Sequence, residues 1–509
     1  MDISTLTLLV VGVVLGFLAL ISYLASKYSL PTPNDFYLAG RTLGTPILLM
    51  NMGATYFSAW TILGAVGSFY RSGVSFMVFP AWTIIHAVLI WVLGVRIWLL
   101  GKKKGFITPG DMMEDYYGSP VLRVLFAVLG IIALVPYMLI QVTGGALTFE
   151  ALTKGEISYG MGVIITSVLV CIFVIIAGFR GTAWTDTAMG IFFGTTLLGI
   201  AVYFINHAGG LGALKTVADV NSSVLISNCQ WKGTMGTATG LLLGFIIMPH
   251  MWQKYYAARS PRVLAQVSIF TPFWNSWLMA IVPFFIGVLS HVPGLVPGLT
   301  VKNSDTIVPL FFAHYSPVFG TFVAAAILTF AISTINSQLL TSSSLITQDI
   351  YTRFFNKNSS EKQITLIGKF VVVILTGIIL GLAFTPGGAG YLIPVANLGF
   401  AIGIQLLPAS LGPLYWPRGT KEGAIASIIA GEIVVIISQF ILPFGIHPTV
   451  NGLIAASVTY YIVSKLTKPI PYEKQLEYHG YLTESLCGEN AISVKTAIST
   501  QISGGTSNV

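Results

Sequence analysis

Apolar residues run along this chain in long stretches that are hydrophobic on nearly every side, separated by short polar segments. A helix needs about 20 mostly apolar residues to cross the hydrocarbon core of a bilayer. Thirteen stretches approach or exceed that length, near residues 5–26, 45–71, 76–100, 121–152, 158–178, 184–206, 235–253, 265–290, 315–348, 363–384, 390–412, 421–442 and 447–466. Runs such as 163–177 and 370–382 lack the period-two alternation of a membrane β-barrel. Open strands would leave unpaired backbone in lipid. The pattern predicts an all-α integral membrane protein with about 13 transmembrane helices. The first stretch has neither a basic leading segment nor a small-residue cleavage site, so it is expected to be a retained span. Residues 1–468 form the expected transmembrane domain, with a core near 45–412. The polar, Ser-, Thr- and Gly-rich segment 469–509 is expected to be a poorly ordered cytoplasmic tail.

Composition sharpens this picture. Of 509 residues, 54% are hydrophobic and 9% charged, and mean hydropathy is +0.81. Soluble domains carry roughly 25% charge, so a water-facing surface is excluded, and with it a soluble enzyme or a nucleic-acid reader. The net charge of +8 has another meaning in a membrane. Of the 26 Lys and Arg, 21 fall in odd-numbered connections, adjoining helix ends or the C-terminal segment. Only Arg71, Lys154, Lys215, Lys232 and Lys302 fall on the other side. Positive charge marks the cytoplasmic side, so the N-terminus is expected outside and the C-terminus in the cytoplasm of a plasma-membrane protein. Lys254 counts with the cytoplasmic set, and no Lys or Arg is expected at mid-depth. Cys171, Cys229 and Cys487 fall in three different environments, so no structural disulfide is expected.

Two spans look broken. The second carries Asn51, Gly53, Thr55, Ser58 and Thr61 at mid-depth. This is either a close-packing face of small residues or an unwound segment with freed carbonyls. The seventh, five spans later, is interrupted by Gly236, Gly240, Gly244 and Pro249. Interrupted spans in corresponding halves point to a transport site at an inverted-repeat interface. Only this spacing suggests the repeat. In the ninth span Ser333, Thr334, Ser337 and Thr341 line one helix face. Hydroxyls on one helix and freed carbonyls on another suit sodium, although such hydroxyls also bond their own helix.

At these residues the chain resembles the sodium/solute symporter family. The resemblance rests on four blocks in family order: Asp35-Phe36-Tyr37-Leu38-Ala39-Gly40-Arg41-Thr42-Leu43-Gly44; Trp184-Thr185-Asp186-Thr187 after Gly178-Phe179-Arg180; Ser333-Thr334-Ile335-Asn336-Ser337-Gln338-Leu339-Leu340 with Thr347-Gln348-Asp349-Ile350-Tyr351; and Gly412-Pro413-Leu414-Tyr415-Trp416-Pro417-Arg418-Gly419-Thr420-Lys421-Glu422-Gly423-Ala424. The resemblance implies a leucine-transporter-type core of five plus five inverted helices, one helix before it and two after. It also implies sodium held by carbonyls of Ala54 and Phe57 and by oxygens of Phe330, Ser333 and Thr334, where family members often have Ala in place of Phe330. Asp186 matches an acid on the sodium exit path; it is otherwise a helix N-cap at the cytoplasmic end of span six. Tyr56 stands where the sodium/proline branch carries Asp. The Ala54-Thr55-Tyr56 triplet and Pro249-His250 look more like the sodium/pantothenate and monocarboxylate branches.

The resulting expectation is a sodium-coupled symporter importing a small carboxylate. It has no enzymatic activity and no cofactor beyond the coupling ion, and its partners are solute, sodium and lipid rather than nucleic acid. Gln141 and Gln405 are the leading solute contacts, although a buried Gln also serves as interhelical glue. Thr55, Tyr56, Trp60 and Phe245 follow. Without a mid-depth cation, an anion must rely on helix N-termini, amides, hydroxyls or bound sodium. Glu432 and His86 read as packed structural groups, and His250 as a cap or a gate. The alternatives are a proline-like amino-acid symporter, a proton-coupled transporter and a solute-sensing receptor.

Overall fold

The computed structural model describes residues 2–30, 32–79, 83–228, 231–385, 387–388, 390, 392–442 and 445–487. Every predicted apolar stretch is largely helical over its described residues, which contain no strand beyond an isolated bridge between Leu43 and Ala258. In chain order the elements are α1 (Ile3–Ser26), α2 (Thr45–Tyr56), α3 (Trp60–Met77), α4 (83–104), α5 (Pro109–Tyr117), α6 (Pro120–Leu152), α7 (Tyr159–Ile176) and α8 (Gly178–His207). They continue as α9 (Thr234–Ile247), α10 (Pro249–Ala257), α11 (Pro261–Leu289), α12 (Pro317–Phe355), α13 (Glu361–Ala383), α14 (Leu392–Tyr415), α15 (Lys421–Phe440), α16 (Pro448–Leu466) and α17 (472–487).

Among the described residues nine helices are long and apolar enough to cross a membrane, and the bent pairs α2–α3 and α9–α10 bring the number to 11. The other two predicted spans, α4 and α16, are helical but do not belong to that set. The bends are 52° and 44°. They are the two interruptions expected from Gly53 and Pro249, and they fall in corresponding halves.

Local chemistry places the helix starts. Proline occupies the first turn of α5, α6, α10, α12 and α16, where its missing N–H costs nothing. Thr108 with Asp111, and Ser360 with Gln363, form capping boxes. Gly178 separates α7 from α8 at φ +53°, ψ −174°, a conformation open almost only to glycine.

The core centres on α12: 83% of an apolar 18-residue stretch of it is buried, against 28% of the corresponding stretch of α1. Helices α2, α6, α8 and α10 pack around α12, while α15 and α16 pack chiefly on each other at the side.

One expectation needs correction. Segment 472–487 is not a loose tail: it is helical and docked, with Tyr478 fully buried. Asp115 accepts from Lys474 Nζ at 2.8 Å and from the Tyr478 hydroxyl at 2.6 Å, and Tyr116 meets His479 Nε2 at 3.2 Å. These contacts offset the cost of ordering a polar segment. Residues 488–509 and Cys229 lie outside the described residues; Cys171 and Cys487 are free thiols.

Candidate functional site

The break between α2 and α3 leaves the helix at Phe57, with φ −91° and ψ 110°. Helical bonding stops there, so nearby carbonyls lose their usual partners. The Thr334 hydroxyl on α12 approaches two of them, Ala54 O at 3.2 Å and Phe57 O at 3.5 Å. One turn of α12 thus faces the freed carbonyls that the sequence pattern anticipated. Beside it Ser333 Oγ donates to Asp186 Oδ1 at 2.5 Å, and Asn51 Nδ2 donates to Asp186 Oδ2 at 2.6 Å. Ala54, Phe57, Asp186, Phe330, Ser333 and Thr334 are all buried. The Phe330 ring lies edge-on against Phe193 of α8, which also stacks on Phe57.

Carbonyl and hydroxyl oxygens at one buried point, with a carboxylate behind one hydroxyl, fit a hard monovalent cation. The oxygens that would hold it are backbone carbonyls at the end of α2 and hydroxyls of α12, with Asp186 of α8 behind Ser333.

Asp186 is not a helix cap. It lies well inside α8 and spends both oxygens on side chains of α2 and α12. The start of that helix is instead fixed by Gly178 and Arg180. Arg180 Nη2 donates to Asp35 Oδ1 at 2.5 Å and to Ala39 O at 3.1 Å. Gly40 between them has φ +62°, and a Cβ there would lie 3.0 Å from Asp35 Oδ1. The first two sequence blocks are therefore the two sides of one ion-paired junction.

The solute candidates divide. Tyr56 packs on Phe245 at 4.8 Å and on His86 at 5.3 Å between ring centroids. The Tyr56 hydroxyl and the Trp60 indole N–H are buried without a hydrogen-bond partner among the described residues. Buried donors of this kind are uncommon in finished cores and are available to a ligand. Thr55 instead donates to Asn51 O on its own helix. Gln141 reaches the break as a cap: Ala59 N–H donates to its Oε1 at 3.1 Å, while its Nε2 donates to Tyr137 O. Gly144 permits this approach, because a Cβ there would lie 2.4 Å from Ala59 Cβ.

Gln405 is placed elsewhere. It donates to Ala401 O on its own helix and lies against Gly431 and Gly452, facing α15 and α16. That is the interhelical-glue placement. His86 Nε2 donates to Leu241 O, 3.1 Å away, in a widened turn of α9. Glu432 sits on α15, away from α12.

Three neighbours of the site went unassigned in the sequence. Tyr137 Oη donates to the freed Thr55 carbonyl at 3.3 Å; its spacing of four from Gln141 on one helix face was the available signal. Asn51 was visible in the polar cluster but had no partner to define it. Lys254 was assigned to the cytoplasmic edge and is in fact fully buried. Its Nζ donates to Asn51 Oδ1 at 2.8 Å, Asn51 O at 3.1 Å and Ser337 Oγ at 3.1 Å. A buried cation thus stands beside the candidate site, which the sequence reading did not expect. Flanking Trp252, Gln253, Tyr255 and Tyr256, all buried, were the clue, since a snorkelling Lys has a wet side.

Two further ion-pair clusters bracket the core. On one side Arg71 Nη1 meets Asp305 Oδ1 at 2.7 Å, and Asp305 Oδ2 accepts from Leu392 N, tying α3 to the start of α14. On the other, Arg123 binds Asp111, Glu114 and Asp349, joining α5, α6 and α12.

Known proteins share this fold. Among relatives, the high-affinity proline transporter PutP of Bacillus subtilis (strain 168) is 27% identical over 470 residues, covering 88% of this chain and 96% of its own. A sodium/proline symporter of Staphylococcus aureus (strain bovine RF122 / ET3-1) is 24% identical over 481 residues, covering 91% and 93%. Among solved structures, a Na+-coupled sialic acid symporter in a substrate-bound outward-open state superposes with a TM-score of 0.77 at 20% identity, covering 92% and 99%. Mhp1, a nucleobase-cation-symport-1 family transporter in a closed conformation, gives 0.57 at 17% identity, covering 87% and 97%. These structures share the leucine-transporter-type fold, and all four proteins are transporters rather than enzymes. A profile of the sodium:solute symporter family matches residues 36–431. With its two broken spans, its packed α12 and that match over most of its length, this multi-pass membrane protein belongs to the sodium:solute symporter family.

Proposed function

We propose that the protein is a sodium-coupled symporter that imports a small carboxylate-bearing solute, with its N-terminus outside and its C-terminus in the cytoplasm. The observation that carries the coupling ion is the convergence of Thr334 Oγ1 on the carbonyls of Ala54 and Phe57. Sodium entering from outside would take those oxygens, with Phe330 O and Ser333 Oγ completing the set. Binding there joins α2 to α12 and stabilises the break, which also shapes the neighbouring Tyr56–Phe245 pocket. Tyr56 Oη and Trp60 Nε1 are the groups offered to the solute. Thr55 and Gln141 shape its floor. Such coupling is reciprocal: sodium tightens solute binding by the factor with which solute tightens sodium. Asp186 receives the ion on its way inward.

The Ala54-Thr55-Tyr56 pattern supports pantothenate or a monocarboxylate as the solute, whereas the two relatives above are named for proline. An amino-acid substrate is thus the second reading. Each of these solutes bears a carboxylate. Uptake into proteoliposomes under an imposed inward sodium gradient, with pantothenate, short monocarboxylates and proline offered separately, tests both. Uptake of one of them driven by sodium and not by a proton gradient is expected. Uptake indifferent to the sodium gradient would sink the coupling.

A further inference from the structure

Lys254 and Asp186 are buried ions that share one amide. Asn51 donates its Nδ2 to Asp186 at 2.6 Å and accepts Lys254 Nζ at its Oδ1 at 2.8 Å. Both charged side chains are wholly enclosed. Lys254 also reaches Ser337, one helical turn from the Ser333 that holds the other oxygen of Asp186. The ammonium is therefore one turn along α2 and α12 from the candidate sodium oxygens, on the α10 side. The half-helix that carries it is fixed by its neighbour Gln253, which donates to Tyr37 O at 2.7 Å and accepts from Thr341 at 2.5 Å.

We propose that Lys254 is a built-in cation that alternates with sodium. Without sodium, Asp186 and Lys254 form a neutral cluster through Asn51. With sodium on Ser333 and Thr334, the same cluster carries a surplus positive charge in a poorly screened interior, where like charges repel over several ångströms. Lys254 thus weakens sodium binding and favours its release. Once the ion has left, it keeps Asp186 from being a lone buried anion, which would be costly, so the empty carrier can return. Its role is to set ion affinity and the return step, without touching solute.

The inference rests on the sodium-symport reading, and one experiment separates the two. Sodium activation of solute uptake and solute exchange at equal sodium on both sides are measured in proteoliposomes for the unaltered protein, Lys254→Gln and Lys254→Arg. Absent sodium activation in the unaltered protein defeats the symport reading itself. Given that activation, Lys254→Gln is expected to lower the half-saturating sodium concentration by about ten-fold, the order of one removed nearby charge. Net uptake should fall far more than exchange, because the return of the empty carrier is slowed, and Lys254→Arg should recover part of the net uptake. An unchanged half-saturating sodium concentration in Lys254→Gln, or equal loss of net uptake and exchange, overturns the inference. If Lys254→Gln does not fold, Lys254→Gln combined with Asp186→Asn leaves no unpaired buried ion. Its half-saturating sodium concentration should lie below that of Asp186→Asn alone, and equal values overturn the inference.

Discussion

Single side chains here do work that their identities announce only in part. Ser333 and Thr334 stand out as hydroxyls on an apolar span, and the structure turns Thr334 toward two freed carbonyls. Replacing both by Ala removes oxygen contacts to a cation worth about 1.5–3 kcal/mol each. The half-saturating sodium concentration for uptake should rise at least about ten-fold, and an unchanged sodium curve would remove the site assignment. Asp186 and Lys254 were both visible as residues, but their meaning was not. A carboxylate eight positions past a helix break reads equally well as a cap or as a buried anion until its partners Asn51 and Ser333 are known. Gln141 and Gln405 make the same point. Each is a glutamine near small residues in an apolar span, yet one caps a broken helix and the other wedges between α15 and α16.

At the scale of elements, the break between α2 and α3 is held open from outside itself. Gln141 accepts the Ala59 N–H and Tyr137 covers the Thr55 carbonyl. Gln141→Leu should leave a buried donor unsatisfied, at about 1–3 kcal/mol. The unfolding temperature in detergent should drop, and the solute KM should rise because the pocket adjoins that turn. The Arg123 cluster fixes α5 and α6 to the end of α12. Arg123→Gln strands Asp349, which is fully enclosed, and losing one partner of a buried pair costs about 3–5 kcal/mol. A thermal-unfolding series with Arg123→Lys as comparison checks this, with Lys expected to recover only part, since it cannot bridge three carboxylates. The sequence announced both breaks through Gly53, Gly236, Gly240, Gly244 and Pro249. It could not announce the groups that compensate them, because those lie tens of residues away on other helices.

At the scale of the molecule, charge sorting and the docked C-terminal helix make separate predictions. If the Lys and Arg bias sets orientation, the exposed thiol of Cys487 faces the cytoplasm. A membrane-impermeant thiol reagent should then label it in inside-out vesicles and not in right-side-out ones. Docking of 472–487 rests on Asp115. Burial by itself raises that carboxyl, but Lys474, Tyr478 and Lys104 outweigh it and hold it below its ordinary 3.8. A depressed carboxyl stabilises the fold above its unfolded value and ceases to do so as pH falls through the folded one. Asp115→Asn should therefore unfold at a lower temperature than the unaltered protein near neutrality. The two should converge as pH drops below 3.8, and a constant gap across that range would count against the assignment.

The sequence by itself determined the solvent, the helices and the places where two of them break. Hydrophobic run length and local glycine, proline and hydroxyl content act within one segment and need no partner. It also supplied the hydroxyl face of Ser333 and Thr334 as a sodium candidate, whereas the carbonyls of Ala54 and Phe57 were named only by the resemblance to the family. Tertiary structure alone decided that Asp186 and Lys254 meet across Asn51, that Gln405 points away from the candidate site, and that 472–487 is ordered. Those outcomes depend on which faces of distant helices meet. A buried charge or amide takes its role from the partner that relieves its desolvation, and that partner is chosen by packing.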